Sequence, residues 1–243
     1  MKLLVSVRDA AEAAAALAGG ADIVDAKDPA AGALGPVTPA HLRRIVAVVN
    51  GVRPVTAALG DASEALPVEQ RVRTFRAAGA RFVKLGFAGV STGRALEQAI
   101  ASAVEAAPGA LVAVAYADAE RVRAPNHHLV LEAATEMRAA GVLLDTADKS
   151  GPGLRQLIPA TTLRRWVETA HAGGLFVALA GKLRADDLLF ARDVGADIAG
   201  VRGAACVGAA RDAPVVTHLV RRLAELVRGT SPHKALVYRS YFL

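Results

Sequence analysis

Four lysines carry the chemistry this sequence offers. Only six of its 29 basic residues are lysine, and Lys27, Lys84, Lys149 and Lys182 each stand at or just behind a short apolar run. A guanidinium serves where a surface cation is wanted, whereas an amine can shed its proton and attack a carbonyl. An Ala- and Arg-rich composition explains why lysines are few, but not why they gather at the ends of apolar runs. Asp25 and Lys27 lie two apart, so an extended run puts both on one face, either as a strand-end ion pair or as a carboxylate that holds the amine and passes a proton. Lys84 shares its face with Phe82 and Gly86 in a second run. An isolated buried cation escapes its desolvation cost through a partner anion or a lowered pKa, and neighbouring lysines depress one another. Lys84 therefore reads as the Schiff-base former or as the cation that tunes it. Asp145 and Lys149 make a further carboxylate–amine pair, suited to the proton transfers of enolisation and dehydration. By itself Lys149 reads as a solvated loop lysine; beside the other pairs it reads as part of a site.

The elements that position these groups follow from period and punctuation. Apolar runs at 3–7, 22–26, 54–59, 82–85, 111–116, 141–145, 175–180 and 198–201 alternate with helical patterns at 9–18, 39–49, 67–78, 92–107, 127–140, 159–172, 184–194 and 214–228. Thr38-Pro39, Ser91 and Thr161 stand near helix starts, and Gly20, Gly51, Gly79, Gly141, Gly173 and Gly195 just past ends. Eight such units predict a single (β/α)8 (TIM) barrel over residues 1–228. A doubly wound nucleotide fold would show a Gly-rich turn after the first strand, where Arg8-Asp9-Ala10 stands instead. In a barrel, reacting groups project from strand C-terminal ends, which is where the four lysines fall. The seventh and eighth loops, with Gly181-Lys182 and Arg202-Gly203, suit phosphate, with Arg211 as a further ligand. Asp61 after the third run, and Tyr116 with Asp118 after the fifth, complete a polar rim. The extension 229–243, with Tyr238, Tyr241 and Phe242, is expected to pack on the barrel or on a neighbouring subunit.

Composition narrows the function. A chain of 243 residues with 53% apolar and only 4% aromatic residues suits one domain with strands buried on both faces. The single Cys206 excludes an internal disulfide and a Cys-cluster zinc site, and reads as a small buried side chain. His127-His128 fall at a helix start with no repeating His/carboxylate spacing, so neither metal nor cofactor is expected. A net charge of +6 permits polyanion binding. The arginines are dispersed through helical segments, as at Arg71 and Arg73, which predicts solvated faces, and few aromatics are available to stack on bases. Small phosphorylated molecules are favoured over nucleic acid. Apolar stretches are too short to span a membrane and no leader pattern precedes the first strand, so a cytoplasmic homo-oligomer is the expectation.

Taken in order, these residues resemble a known family, (5-formylfuran-3-yl)methyl phosphate synthase. The stretches that carry the resemblance are 3–6, the Gly19-to-Lys27 run with Gly32 to Gly35, 57–61, 82–86, 116–118, 144–151 and 195–206. The resemblance implies a TIM barrel joining two glyceraldehyde 3-phosphate molecules, with loss of phosphate and water, on the way to methanofuran-type cofactors. It implies the family's lysine–aspartate set at Lys27, Asp25, Lys84, Asp145 and Lys149. Asp28 stands where the family pattern has Asn, and the segment between Cys206 and Pro214 lacks its Gly-Gly-Asp. A class I aldolase of the same fold, acting on another phosphorylated aldehyde, is the alternative enzyme. A basic, non-catalytic polyanion-binding protein is the alternative of another class.

Overall fold

Eight parallel strands close on one another in chain order, each paired with the next and the last with the first, in a computed structural model that describes residues 1–63 and 66–229. The strands are β1 (Lys2–Val7), β2 (Ile23–Ala26), β3 (Val55–Asp61), β4 (Phe82–Gly86), β5 (Leu111–Tyr116), β6 (Gly141–Asp145), β7 (Phe176–Leu179) and β8 (Ile198–Val201). Around them run α1 (Ala10–Ala18), α2 (Pro39–Val49), α3 (Val68–Ala77), α4 (Gly93–Ala106), α5 (His127–Glu136), the single turn α6 (Leu154–Leu157), α7 (Ala160–Ala172), α8 (Ala185–Asp193) and α9 (Thr217–Arg228). This is the expected (β/α)8 barrel. The aromatic extension lies outside the described residues. No helix among them is long and apolar enough to cross a membrane.

Strand alternation divides the apolar residues into two sets. Leu4, Ile23, Ala58, Phe82, Val112, Val114, Leu143, Phe176, Ala178 and Ile198 form one cluster, which fills the barrel. Their neighbours, among them Leu3, Val5, Val24, Val83, Leu85, Val142 and Leu144, belong to a larger cluster packed with the helices. Directly opposite residues on parallel strands face the same side, so register carries the inner set around the barrel. Ser6 lies opposite Asp25, Asp25 opposite Thr56, Ala58 opposite Lys84, and Tyr116 opposite Asp145.

Helix boundaries shift where the backbone has other partners. Helix α4 is capped by Thr92, which accepts from the Ala95 N–H, and not by Ser91. Helix α5 stops four residues short of 140, because Arg138 takes a left-handed φ of 56° and Ala140 donates to Leu111 in the sheet. Helix α9 begins at Thr217 because Val215 pairs with Cys206 in an isolated antiparallel bridge. Arg71 departs from the solvated role expected of it: it is buried and donates to the carbonyls of Leu59 and Asp61 at the end of β3.

Candidate active site

At the carboxyl end of the strands a cavity of about 290 Å³ is lined by Lys27, Lys84, Asp145, Lys149 and Lys182. Leu4, Ile23, Phe82, Val112, Leu143, Phe176 and Ile198 form its floor. Phe82 and Phe176 meet edge to face there, ring centres 5.4 Å apart. The depth of the cavity follows from the strand pattern: the apolar inward residues Ile23, Phe82 and Leu143 come two residues before Asp25, Lys84 and Asp145.

Asp25 is fully buried at the centre of three polar side chains. Its carboxylate accepts from Lys84 Nζ at 2.6 Å, Ser6 Oγ at 2.8 Å and Thr56 Oγ1 at 2.6 Å. Burial alone would push this carboxyl up, but the charges of Lys84 and then Lys27, with the hydrogen bonds from Lys84 and Thr56, hold it below its usual range. The ion pair therefore runs from β2 to β4, and not between Asp25 and Lys27 as their spacing suggested. Ser6 and Thr56 were not singled out in the sequence, although each is a polar residue at an inward position of an otherwise apolar strand end.

The second pair forms as expected. Lys149 folds back to donate to Asp145 at 2.7 Å and to the Thr146 carbonyl. Burial pushes Asp145 up, yet Lys149 and then Lys27, with hydrogen bonds from Lys149 and the Thr146 N–H, bring its carboxyl below the ordinary value. Lys27 is left between the two pairs. It is 8% exposed, and among the described residues no hydrogen bond holds its amine. Its pKa is lowered from 10.5 to about 7, first by burial, with Asp145 opposing and with Lys84 and Lys149 adding to the lowering. An unbonded amine, half neutral near pH 7 and facing a cavity, is a carbonyl nucleophile.

The remaining candidates divide. Gly181, Lys182, Gly203 and Arg211 line the cavity mouth, where Lys182 donates to the Gly151 carbonyl and Arg211 to that of Gly32. A Cβ on Gly203 would stand 2.9 Å from the Ala209 carbonyl oxygen, so this loop requires glycine. Arg184, missed in the sequence because it reads as the start of a helix, also lines the mouth.

Arg202, expected as a phosphate ligand, also lines the cavity, but its donors are taken up within the chain. Its five N–H groups go to both Glu12 carboxylate oxygens and to the carbonyls of Ser6, Arg211 and Ala213. It fastens the loop after β8 to β1 and α1. Asp118 is likewise committed, accepting from the N–H groups of Ala147 and Asp148 at 2.7 and 2.8 Å, and so shaping the loop that returns Lys149. Asp61 accepts from Tyr116 Oη at 2.9 Å and from the Ala88 N–H at 2.8 Å. Both aspartates lie outside the cavity lining and act on loops.

The architecture defines the class first. Solved structures that align over nearly the whole chain include a 3-hexulose-6-phosphate synthase, at 24% identity and a TM-score of 0.57, covering 91% of this chain and 99% of that one. Phosphoribosyl anthranilate isomerase from Thermus thermophilus aligns at 16% identity and a TM-score of 0.63, covering 94% and 98%. These share the TIM-barrel fold. The sequence then gives the family. The model of 4-HFC-P synthase matches residues 3–224. The (5-formylfuran-3-yl)methyl phosphate synthase of Methanopyrus kandleri is 41% identical over 231 residues, 92% of this chain and 98% of the relative. That of Methanocaldococcus jannaschii is 35% identical over 239 residues, 94% and 100%. The chain belongs to the 4-HFC-P synthase family, a family of enzymes, as the resemblance of its motifs implied.

Proposed function

We propose that this enzyme is a carbon–oxygen lyase that converts two glyceraldehyde 3-phosphate molecules into (5-formylfuran-3-yl)methyl phosphate through an imine on Lys27. The observation that carries this reading is the Lys27 amine, unbonded and lowered to about pKa 7 between two lysine–carboxylate pairs. The names of the relatives support the product.

The product skeleton assigns the imine carbon. A phosphate leaves readily when it is β to a carbanion, and in a triose imine the C3 phosphate is β to C2, whose proton the iminium at C1 acidifies. The triose held on Lys27 therefore loses its phosphate, and its C1 becomes the formyl carbon of the product. Asp145 and Lys149 take and return the protons; Asp25 and Lys84 hold the amine at the acidity the step needs. The second triose first shifts its carbonyl from C1 to C2 by enolisation; the C3 carbon of the first adds to that C2, the C1 oxygen of the second closes the ring on C2 of the first, and two waters leave. Each new bond is matched by a leaving group: the two trioses yield product, one phosphate and two waters, the water released on imine formation being returned when the imine is hydrolysed.

Borohydride trapping tests this. Substrate plus borohydride is expected to leave a reduced adduct on Lys27 and to abolish activity. An adduct on Lys84 would exchange the two lysines' roles; no adduct, or full activity in Lys27→Arg, would overturn the imine.

A further inference from the structure

Of the four lysines lining the cavity, three are already engaged: Lys84 with Asp25, Lys149 with Asp145, and Lys182 with the Gly151 carbonyl. Any carbonyl that enters meets one available amine. The surroundings of that amine sort carbonyl compounds. Below it lie aromatic and branched side chains, including the Phe82–Phe176 pair, which suit a flat ring. At the mouth stand Lys182, Arg184 and Arg211, which suit a phosphate.

An aldehyde attached to an aromatic ring differs from a triose in one decisive respect. Its carbon bears no neighbouring C–H, so the imine cannot lose a proton to become an enamine, and Asp145 and Lys149 have nothing to move. Conjugation with the ring also stabilises that imine against hydrolysis. We propose that Lys27 captures heteroaromatic aldehydes carrying a phosphomethyl group as a stalled imine, and that the enzyme is restrained in this way by the class of compound to which its own product belongs. The second half of this statement rests on the function proposed above. The step balances simply: amine and aldehyde give imine and water, with no oxidant or reductant, and water reverses it.

Pyridoxal 5′-phosphate is a convenient probe, since it is a heteroaromatic aldehyde with a phosphomethyl arm and its imines absorb in the visible. At pH 7 an amine of pKa about 7 is neutral about a thousandfold more often than an ordinary lysine. Titration of the full chain at pH 7 is therefore expected to give one equivalent of imine. Borohydride should fix it on Lys27, inorganic phosphate should compete with it, and Lys27→Met should lack it. Pyridoxal without its phosphate should bind about tenfold more weakly or worse, having lost charge-assisted contacts at the mouth. The inference is overturned by no imine on the wild type, by equal labelling of Lys27→Met, or by equal affinity for pyridoxal. Furan formation from glyceraldehyde 3-phosphate, measured separately, tells the two readings apart. Imine without furan sinks the proposed function and leaves the capture intact, whereas furan without imine does the reverse.

Discussion

Replacing Lys27 with methionine should stabilise the protein near neutral pH, and the gain should fade in alkali. The amine titrates at about 7 in the folded state against 10.5 as its ordinary value. Between those values the unfolded chain binds more protons, so the burden of burying this lysine is greatest below about pH 7 and disappears as pH rises through 10.5. Converted at about 1.36 kcal/mol per tenfold change in proton affinity, the burden is about 4 kcal/mol at pH 7, about 2 at pH 9 and about 1 at pH 10. Methionine fills a similar volume without the charge, and removes it. Urea unfolding of both proteins at pH 7, 8.5 and 9.5 measures the difference. The sole tryptophan, Trp166, is buried and reports unfolding by fluorescence. Shifts in groups away from Lys27 are common to both proteins and cancel, whereas Asp25 and Asp145 lose the lowering that its charge contributes, in the carboxylate range and below the pH values measured. A variant that is less stable than the wild type at pH 7, or whose gain is the same at every pH, would show that burial does not lower Lys27 and would remove the basis for its role as nucleophile.

Two further outcomes follow from the supporting shell. Glu12→Gln leaves Arg202 buried without its carboxylate, and is expected to cost about 3–5 kcal/mol. The loosened β8 loop should raise KM for the phosphorylated substrate more than it lowers kcat; unchanged melting and unchanged KM would sink the clamp. Gly86→Ala would bring a Cβ to 2.3 Å from Asp61 Oδ1 and 2.5 Å from Tyr116 Oη. That crowding should cost about 1–3 kcal/mol and reduce activity, and a variant with wild-type melting and turnover would refute the close packing of this corner.

The barrel was legible because strand and helix periods are local, and the eight apolar runs became eight strands with ends displaced by a residue or two. Boundaries failed where distant partners intervened, as at Val215 with Cys206. The gathering of the lysines was legible because an amine inside an apolar run is costly and needs a polar setting, and the four line one cavity. What could not be read was who satisfies whom. Lys84 lies 59 residues from Asp25, and only the pairing of β2 and β4 on either side of β3 brings their inward side chains within one hydrogen bond. Arg202, Asp61 and Asp118 read as ligands because a polar group at a strand end needs partners; here the backbone of neighbouring loops, with Glu12 for Arg202 and Tyr116 for Asp61, supplies partners from within the chain.

The division of the apolar residues by strand parity bears on how such an enzyme can change. Asp25 is held between Val24 and Ala26, and Lys84 between Val83 and Leu85, so each buried charge is anchored by neighbours on the helix-facing side. Inward positions can thus be rewritten to accept a different ligand while the residues that fix the backbone stay as they are. Selection for new specificity and selection for folding act on alternate letters of the same strands.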